Sequence, residues 1–212
     1  MRLILIRHGE SDHALRNVIA GRVSCRGLTE RGFQQVQLLA HRFGVTGEVS
    51  DCRALLCSPV LRAMQTAEVL ARTLPVGPIE QDCDLCELHP GEADGLSWEA
   101  YRATYGVFDL PTSPTRAFAP GAESWLEFIE RVRATLERLA RRFAGQTVVA
   151  VTHAGFIVAS VLVLFDIPRP GTGARLDPGS TSLTEWRVAQ ARWRLVRFND
   201  TSHVIGGDTY DG

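Results

Sequence analysis

Leu3-Ile4-Leu5-Ile6 is a continuous apolar run near the N-terminus, and the polar residues Arg7-His8-Gly9-Glu10 follow it directly. A short apolar run of this kind is typical of a β-strand that is buried on both faces. Because both faces of such a strand must be covered, the pattern predicts a mainly parallel sheet between two layers of helices. The polar residues would then lie at the carboxyl end of the strand, where open α/β sheets bind their ligands.

The same pattern of an apolar run followed by polar residues occurs twice more. Ala54–Cys57 leads into Ser58-Pro59-Val60-Leu61-Arg62, and Thr147–Val151 leads into Thr152-His153-Ala154-Gly155. Since the carboxyl ends of parallel strands meet at one edge of a sheet, we expect the three loops to form one pocket. A single Arg or His at a strand end is more often a cap or a surface group, but several together form an anion site. The side chains expected in that site are Arg7, His8, Arg62 and His153.

Helical patterns alternate with these strands, which favours an α/β fold in the form of a three-layer α/β/α sandwich. Thr29 is expected to cap a helix that ends at Gly44. Ser58 and Pro59 are expected to open a second helix that runs to about Thr73. Further helices are predicted over Glu123–Phe143 and Gly155–Phe165, and the two strands of a late hairpin over Ser182–Val188 and Arg192–Phe198.

Residues 75–122 differ from the rest of the chain, because they hold six of the ten prolines and only one short helical stretch, Trp98–Tyr105. This composition predicts an insertion that lies over the carboxyl ends of the strands, and we expect residues 88–122 within it to determine specificity. We therefore expect residues 1–212 to form a single domain. Candidate residues at the mouth of the pocket are His89, Tyr101, Arg102, Tyr105 and Arg116, although Tyr101 and Tyr105 are equally consistent with simple packing one helical turn apart.

The composition limits the kinds of partner that the protein can bind and the compartment in which we expect it. The chain is 45% hydrophobic and 22% charged with a net charge of −1, so nothing in it favours nucleic acid or a membrane surface as a partner. The odd number of cysteines favours reduced thiols in a cytoplasmic protein. Cys83-x-x-Cys86 has no second pair, so we predict no metal site. Leu3–Ile6 is too short for a signal peptide, and no stretch is long enough to span a membrane.

Several short motifs follow one another along nearly the whole chain. They are Arg7-His8-Gly9-Glu10-Ser11, Gly27-Leu28-Thr29-Glu30-Arg31-Gly32, Ser58-Pro59 with Arg62-Ala63, Leu85-Cys86-Glu87-Leu88, Gly121-Ala122-Glu123-Ser124, Thr152-His153-Ala154-Gly155 and Asn199-Asp200-Thr201-Ser202-His203. Together they resemble the motifs of the histidine phosphatase superfamily, also called the phosphoglycerate mutase-like family. The tripeptide Arg-His-Gly alone is weak evidence, whereas the ordered set is specific.

The resemblance implies a role for each of the matching residues. His8 would be the nucleophile that forms a transient phosphohistidine, and His153 would assist it and bind the phosphoryl oxygens. Arg7 and Arg62 would also bind the phosphoryl group, and Asn17 is a further candidate phosphate ligand. Such a site needs no metal and no cofactor, because two guanidinium groups supply the positive charge.

The acid that protonates the leaving oxygen is assigned to Glu87, which would then activate water for the second step. Three other carboxylates are alternatives for this role: Glu10, Glu92 and Asp94. Glu10 is also a candidate for orienting its neighbours.

The sequence departs from the mutases of this family in a way that favours its phosphatase branch. The mutases have a Trp-Asn pair where this chain has His13 and Ala14, and a threonine where it has Ala20. Losing polar contacts should weaken an enclosed phosphoglycerate site.

The resulting hypothesis is a metal-independent phosphomonoesterase, a histidine acid-type phosphatase that hydrolyses a small phosphorylated metabolite. The alternatives are a cofactor-dependent phosphoglycerate mutase, a phosphatase that acts on phosphorylated proteins, and a non-catalytic phosphate-binding member. A small phosphate ester is the expected partner. A homodimer is compatible with the sequence, although no sequence feature indicates an interface.

Overall fold

A six-stranded sheet lies at the centre of the computed structural model, which describes residues 1–108, 113–167 and 174–204. Its strands are β1 (Arg2–Arg7), β2 (Cys52–Cys57), β3 (Glu80–Gln81), β4 (Thr147–Thr152), β5 (Leu183–Ala189) and β6 (Arg192–Asp200). The order across the sheet is β3-β2-β4-β1-β5-β6. The first four strands in the chain pair in parallel, and the hairpin of β5 and β6 adds an antiparallel edge beside β1. The prediction of a mainly parallel sheet is confirmed.

Helices cover both faces of the sheet. They are α1 (Asp12–Leu15), α2 (Glu30–Thr46), α3 (Leu61–Ala71), α4 (Trp98–Tyr105), α5 (Trp125–Arg142) and α6 (Ala154–Leu164). Leu3 and Leu5 belong to the core that α5 and α6 complete, and Ile4 and Ile6 belong to the core that α2 and α3 complete. This alternation explains why Leu3–Ile6 of the first strand is apolar at every position, and it confirms the three-layer sandwich.

The cap predicted at Thr29 is confirmed by its bond from the Gly32 amide at 2.9 Å. The end of the first helix and the start of the second differ from the predictions. The first helix continues past Gly44 and ends at Gly47, whose left-handed backbone (φ 64°) suits glycine. The second begins at Leu61 and not at Pro59, and the Ser58 hydroxyl, which accepts from the Val60 amide at 3.3 Å, also bonds a histidine of the site.

The predicted insertion at 75–122 contains one element of the sheet, since Glu80–Gln81 pairs with β2 as an edge strand. The part that lies over the strand ends begins after it and includes the predicted helix Trp98–Tyr105. A small apolar cluster holds this part together. In it the Tyr101 ring stacks on Phe118 at 4.3 Å between centroids, and the Tyr101 hydroxyl donates to the Phe118 carbonyl. In the described ranges, no helix combines the length and the apolar character needed to cross a bilayer.

The loop that follows β1 packs directly against the start of α2. A Cβ atom added to Gly32 would lie 2.0 Å from the carbonyl oxygen of Glu10, so only glycine allows this approach. The Glu10 carboxylate accepts from the Thr29 hydroxyl at 2.7 Å and thereby joins the loop to the cap of the same helix. The position of the loop after β1 therefore depends on α2.

We expect Gly32→Ala to lower the free energy of unfolding by about 1–3 kcal/mol, because the added methyl group forces the loop and the helix apart. Gly44→Ala is the matched control, since it also lies within α2 and its added Cβ would meet nothing closer than Thr73 at 3.6 Å. Urea unfolding of both variants measures the difference. Equal stability of the two variants would show that the close contact is not needed.

Candidate active site

Three side chains from the ends of β1, β2 and β4 meet at the carboxyl edge of the sheet. His8 follows β1, Arg62 lies in the first turn of α3, and His153 precedes α6. The Arg62 Nε atom lies 3.0 Å from His8 Nε2, and Arg62 Nη2 lies 3.1 Å from His153 Nδ1. All three residues are buried. The guanidinium group of Arg62 thus joins the two imidazoles, whose ring centroids are 5.1 Å apart.

The hydrogen bonds of His8 define which of its nitrogens carries the proton. A guanidinium group only donates, so His8 Nε2 must accept from Arg62. The proton therefore lies on Nδ1, which donates to the Gly9 carbonyl at 2.7 Å. Burial, and then the positive charge of Arg62, lower the pKa of His8 well below its usual value. His8 is a neutral imidazole with a lone pair on Nε2, which is the form that can attack an electrophile.

His153 has the opposite tautomer for the same reason. Its Nδ1 accepts from Arg62, so Nε2 carries the proton and donates to the Ser58 hydroxyl at 2.9 Å. Burial and the charge of Arg62 also lower the pKa of His153 well below its usual value. Ser58 is a functional candidate that the sequence analysis assigned only to helix capping. The motif that contains Arg62 begins with this serine, and that position was the sequence feature that could have indicated a functional role for Ser58.

Arg7 is positioned by the loop at residues 177–181. Its Nη1 atom donates to the Pro178 carbonyl at 2.6 Å, and its own carbonyl accepts from the Thr181 amide. The C-terminal motif holds this loop. The Asn199 side chain bonds the backbone of the loop on both sides, and His203 lies 2.9 Å from the Thr181 hydroxyl. The motif near the end of the chain therefore acts on the site through the loop that anchors Arg7.

Glu87 faces the same cavity as His8, Arg7 and Arg62. Its Oε2 atom accepts from the Gly155 amide at 2.8 Å, so the carboxylate lies at the N-terminus of α6, where the helix dipole favours a negative charge. A Cβ atom added to Gly155 would lie 2.0 Å from Glu87 Oε1. Glycine at this position therefore makes room for the carboxylate.

The other carboxylates considered for the same role are engaged elsewhere. Asp94 accepts from the amides of Gly21 and Ser24, and Glu10 supports the start of α2. Glu92 is exposed. Among the described residues, Glu87 is the carboxylate that lines the cavity.

Arg131, which the sequence analysis did not single out, holds the segment that carries Glu87. Its guanidinium group donates to the carbonyls of Asp84, Cys86 and Glu87 at 2.7–3.1 Å. It also pairs with the Glu123 carboxylate at 2.7 Å. Arg131 projects from the middle of the amphipathic helix α5, where an arginine ordinarily faces solvent, so the local pattern carried no sign of this role.

The cavity has a volume of about 340 Å³ and is lined by two kinds of side chain. The charged and polar ones are Arg7, His8, Arg62, Glu87 and His13, and the pKa of His13 is lowered to about 3 by burial and by the charge of Arg62. The rest of the described lining is apolar, and it includes Ile19, Leu88, Trp98, Phe108, Phe118 and Trp125.

Several residues predicted for the site lie elsewhere. Asn17 is exposed and does not line the cavity, so its role as a phosphate ligand stays a prediction that no contact supports. None of the five residues proposed for the mouth of the pocket lines it either. Tyr101 and Tyr105 pack against each other with ring centroids 5.5 Å apart, as the packing alternative predicted.

The chain is similar to known proteins over almost its whole length. The model of the histidine phosphatase superfamily (branch 1) matches residues 3–201. A protein named putative phosphoserine phosphatase 2, from Hydrogenobacter thermophilus, is 32% identical over 205 residues, which cover 96% of this chain and 97% of that protein. Phosphoglycerate mutase-like protein 4 from Arabidopsis thaliana is 27% identical over 229 residues, with 99% and 94% covered.

The fold is also that of a solved structure, YhfR from Bacillus stearothermophilus. The two structures superpose with a TM-score of 0.82 at 26% identity, over 95% of this chain and 98% of the other. The match to the family model includes every described residue that lines the cavity, from Arg7 to Ala154. This chain belongs to the histidine phosphatase superfamily, branch 1.

Proposed function

We propose that this protein is a metal-independent phosphomonoesterase that works through a phosphohistidine on His8. One observation carries the proposal. A neutral imidazole, with the lone pair of Nε2 directed at a buried guanidinium group, shares a cavity with the carboxylate of Glu87. A nucleophile, a cationic anchor and a carboxylate are the groups that hydrolysis through two displacements requires. The names of its relatives support phosphatase activity in general.

In the first step, the lone pair of His8 Nε2 attacks phosphorus, and the bond from phosphorus to the ester oxygen breaks. Glu87 must take up a proton with the bound substrate before this step, and it gives that proton to the leaving oxygen. Arg7 and Arg62 hold the other phosphoryl oxygens in line and offset their negative charge. In the second step, Glu87 takes a proton from water as the water oxygen attacks phosphorus, and His8 is released in its original form.

His153 needs a change of protonation to join the phosphate ligands. Its Nε2–H donates to the Ser58 hydroxyl, and its Nδ1 accepts from Arg62. When a phosphate dianion draws Arg62 toward itself, Nδ1 can donate to a phosphoryl oxygen only after it gains a proton. Substrate binding is thus expected to be coupled to uptake of a proton at His153.

The walls of the cavity narrow the class of substrate. Within the described residues, the charged and polar side chains of the cavity are Arg7, His8, His13, Arg62 and Glu87, and the rest of the lining is apolar. A bisphosphate cofactor would place its second phosphate against that apolar lining at a high cost in desolvation. The cavity therefore favours hydrolysis over mutase chemistry, and esters with an apolar or aromatic alcohol over phosphoserine or phosphoglycerate.

The first test is hydrolysis of p-nitrophenyl phosphate with excess EDTA. We expect turnover by the parent protein and a rate at least about a thousandfold lower for His8→Ala, because the nucleophile is gone. His41→Ala, at an exposed histidine of α2, is the matched control and should retain full activity. Turnover that EDTA abolishes, or that survives in His8→Ala, would contradict the proposal. Isomerisation of phosphoglycerate that outpaces hydrolysis would instead identify a mutase.

We expect Gly155→Ala to lose activity in the same way as Glu87→Gln, because the new methyl group occupies the place of the carboxylate. For an aliphatic phosphate, whose alkoxide must be protonated as it leaves, kcat/KM, which includes the first displacement but not the second, should fall about a hundredfold or more in both variants. For p-nitrophenyl phosphate, whose leaving group needs no proton, the first displacement should slow much less.

Measurement of both substrates in the single and double variants checks this expectation. The double variant should be no slower than either single one, because both changes remove the same group. Additive losses, or equal losses for the two leaving groups, would rule out Glu87 as the acid.

A further inference from the structure

Outside the cavity, three metal-binding side chains lie together on the segment that carries Glu87. Cys83 Sγ, Cys86 Sγ and His89 Nε2 all lie within 4.8 Å of one another, with 3.4 Å between the two sulfurs and 3.7 Å from Cys83 Sγ to His89 Nε2. We propose that these three residues bind a zinc-like divalent cation and that its binding slows the phosphatase. The binding site is independent of the proposed function, while the effect on turnover depends on it.

The separations suit a tetrahedral zinc ion. With Zn–S bonds of about 2.3 Å and Zn–N bonds of about 2.0–2.1 Å, two sulfur ligands lie roughly 3.8 Å apart, and a sulfur and a nitrogen roughly 3.6 Å apart. A 3₁₀ turn over Cys83–Leu85 explains the arrangement, because side chains three residues apart in such a turn project to the same side. Two thiolates and one imidazole are typical zinc donors, and water can complete the tetrahedron.

The imidazole of His89 is already oriented for this role. Its Nδ1 atom lies 3.5 Å from Glu123 Oε2, which leaves Nε2 directed toward Cys83. A carboxylate on the second nitrogen of a histidine ligand is a common feature of zinc sites. The Glu123 carboxylate is in turn fixed by Arg131. A disulfide between Cys83 and Cys86 would need neither the histidine nor this support, so the geometry favours a metal. The cysteine pair is visible in the sequence, but no local pattern joins it to His89.

The cluster touches the catalytic groups at two points. Cys86 Sγ lies 3.2 Å from the Ser58 hydroxyl, which is the partner of His153. Glu87 is the next residue in the chain. A cation that draws Cys86 toward Cys83 would therefore disturb the proton on His153 and the place of Glu87. The exposure of Cys83 gives the ion a path of entry from solvent.

Cobalt is the probe for binding, because sulfur-to-cobalt charge transfer gives an absorption that depends on thiolate ligands and not on turnover. The full-length protein, reduced and stripped of metal, should bind one Co²⁺ per chain, and Zn²⁺ should displace it. Cys83→Ser and His89→Gln should each weaken binding more than about tenfold. Cys25→Ser, at a cysteine that is not part of this cluster, should bind as the parent does.

Turnover of p-nitrophenyl phosphate gives the second measurement. Added Zn²⁺ should slow the parent and Cys25→Ser, and it should leave Cys83→Ser unaffected. Absence of the cobalt band, or an equal band in Cys83→Ser, would overturn the site. Inhibition that persists in Cys83→Ser would place the inhibiting ion in the catalytic cavity and overturn the coupling. Because cobalt binding is read without any reaction, an inactive protein would contradict the proposed function and not the site.

Discussion

The site depends on one buried cation, the guanidinium group of Arg62. Its hydrogen-bond acceptors in the described structure are the neutral rings of His8 and His153 and the carbonyl of Ala20. Burying a charge without a counter-charge is costly, and an anion that enters the cavity would relieve that cost. The same charge keeps both histidines neutral, because it lowers their pKa values together with burial. One interaction thus prepares both the anion site and the nucleophile.

The scaffold around this interaction holds each catalytic candidate by backbone contacts. The close approach at Gly32 places the loop after β1, and the bare Cα of Gly155 leaves space for the Glu87 carboxylate. Arg131 binds the segment that carries Glu87 through the carbonyls of Asp84, Cys86 and Glu87, and residues 177–181 anchor Arg7. Preorganisation of this kind matters in phosphoryl transfer, since positioning and charge supply most of the catalysis.

The sequence predicted the sheet, both helical layers and the meeting of His8, Arg62 and His153, because continuous apolar runs followed by polar residues have a simple physical meaning. Other features depend on contacts between distant residues that no local pattern encodes. Glu87 was found by resemblance alone, and Arg131 and the third ligand His89 gained their roles only in the folded chain. Ser58 was assigned only to helix capping because a serine before a proline is a good helix cap, and its bond to His153 joins residues that are 95 positions apart.

The central claim is that the phosphoryl group passes through Nε2 of His8. The most direct test is to mix substrate with Glu87→Gln, quench in alkali, where phosphohistidine survives, and locate the phosphoryl group by mass spectrometry. The account predicts phosphate on His8, accumulating because the second displacement has lost its base. Product formed at the same rate with no phosphoenzyme, or with phosphate on another residue, would contradict it.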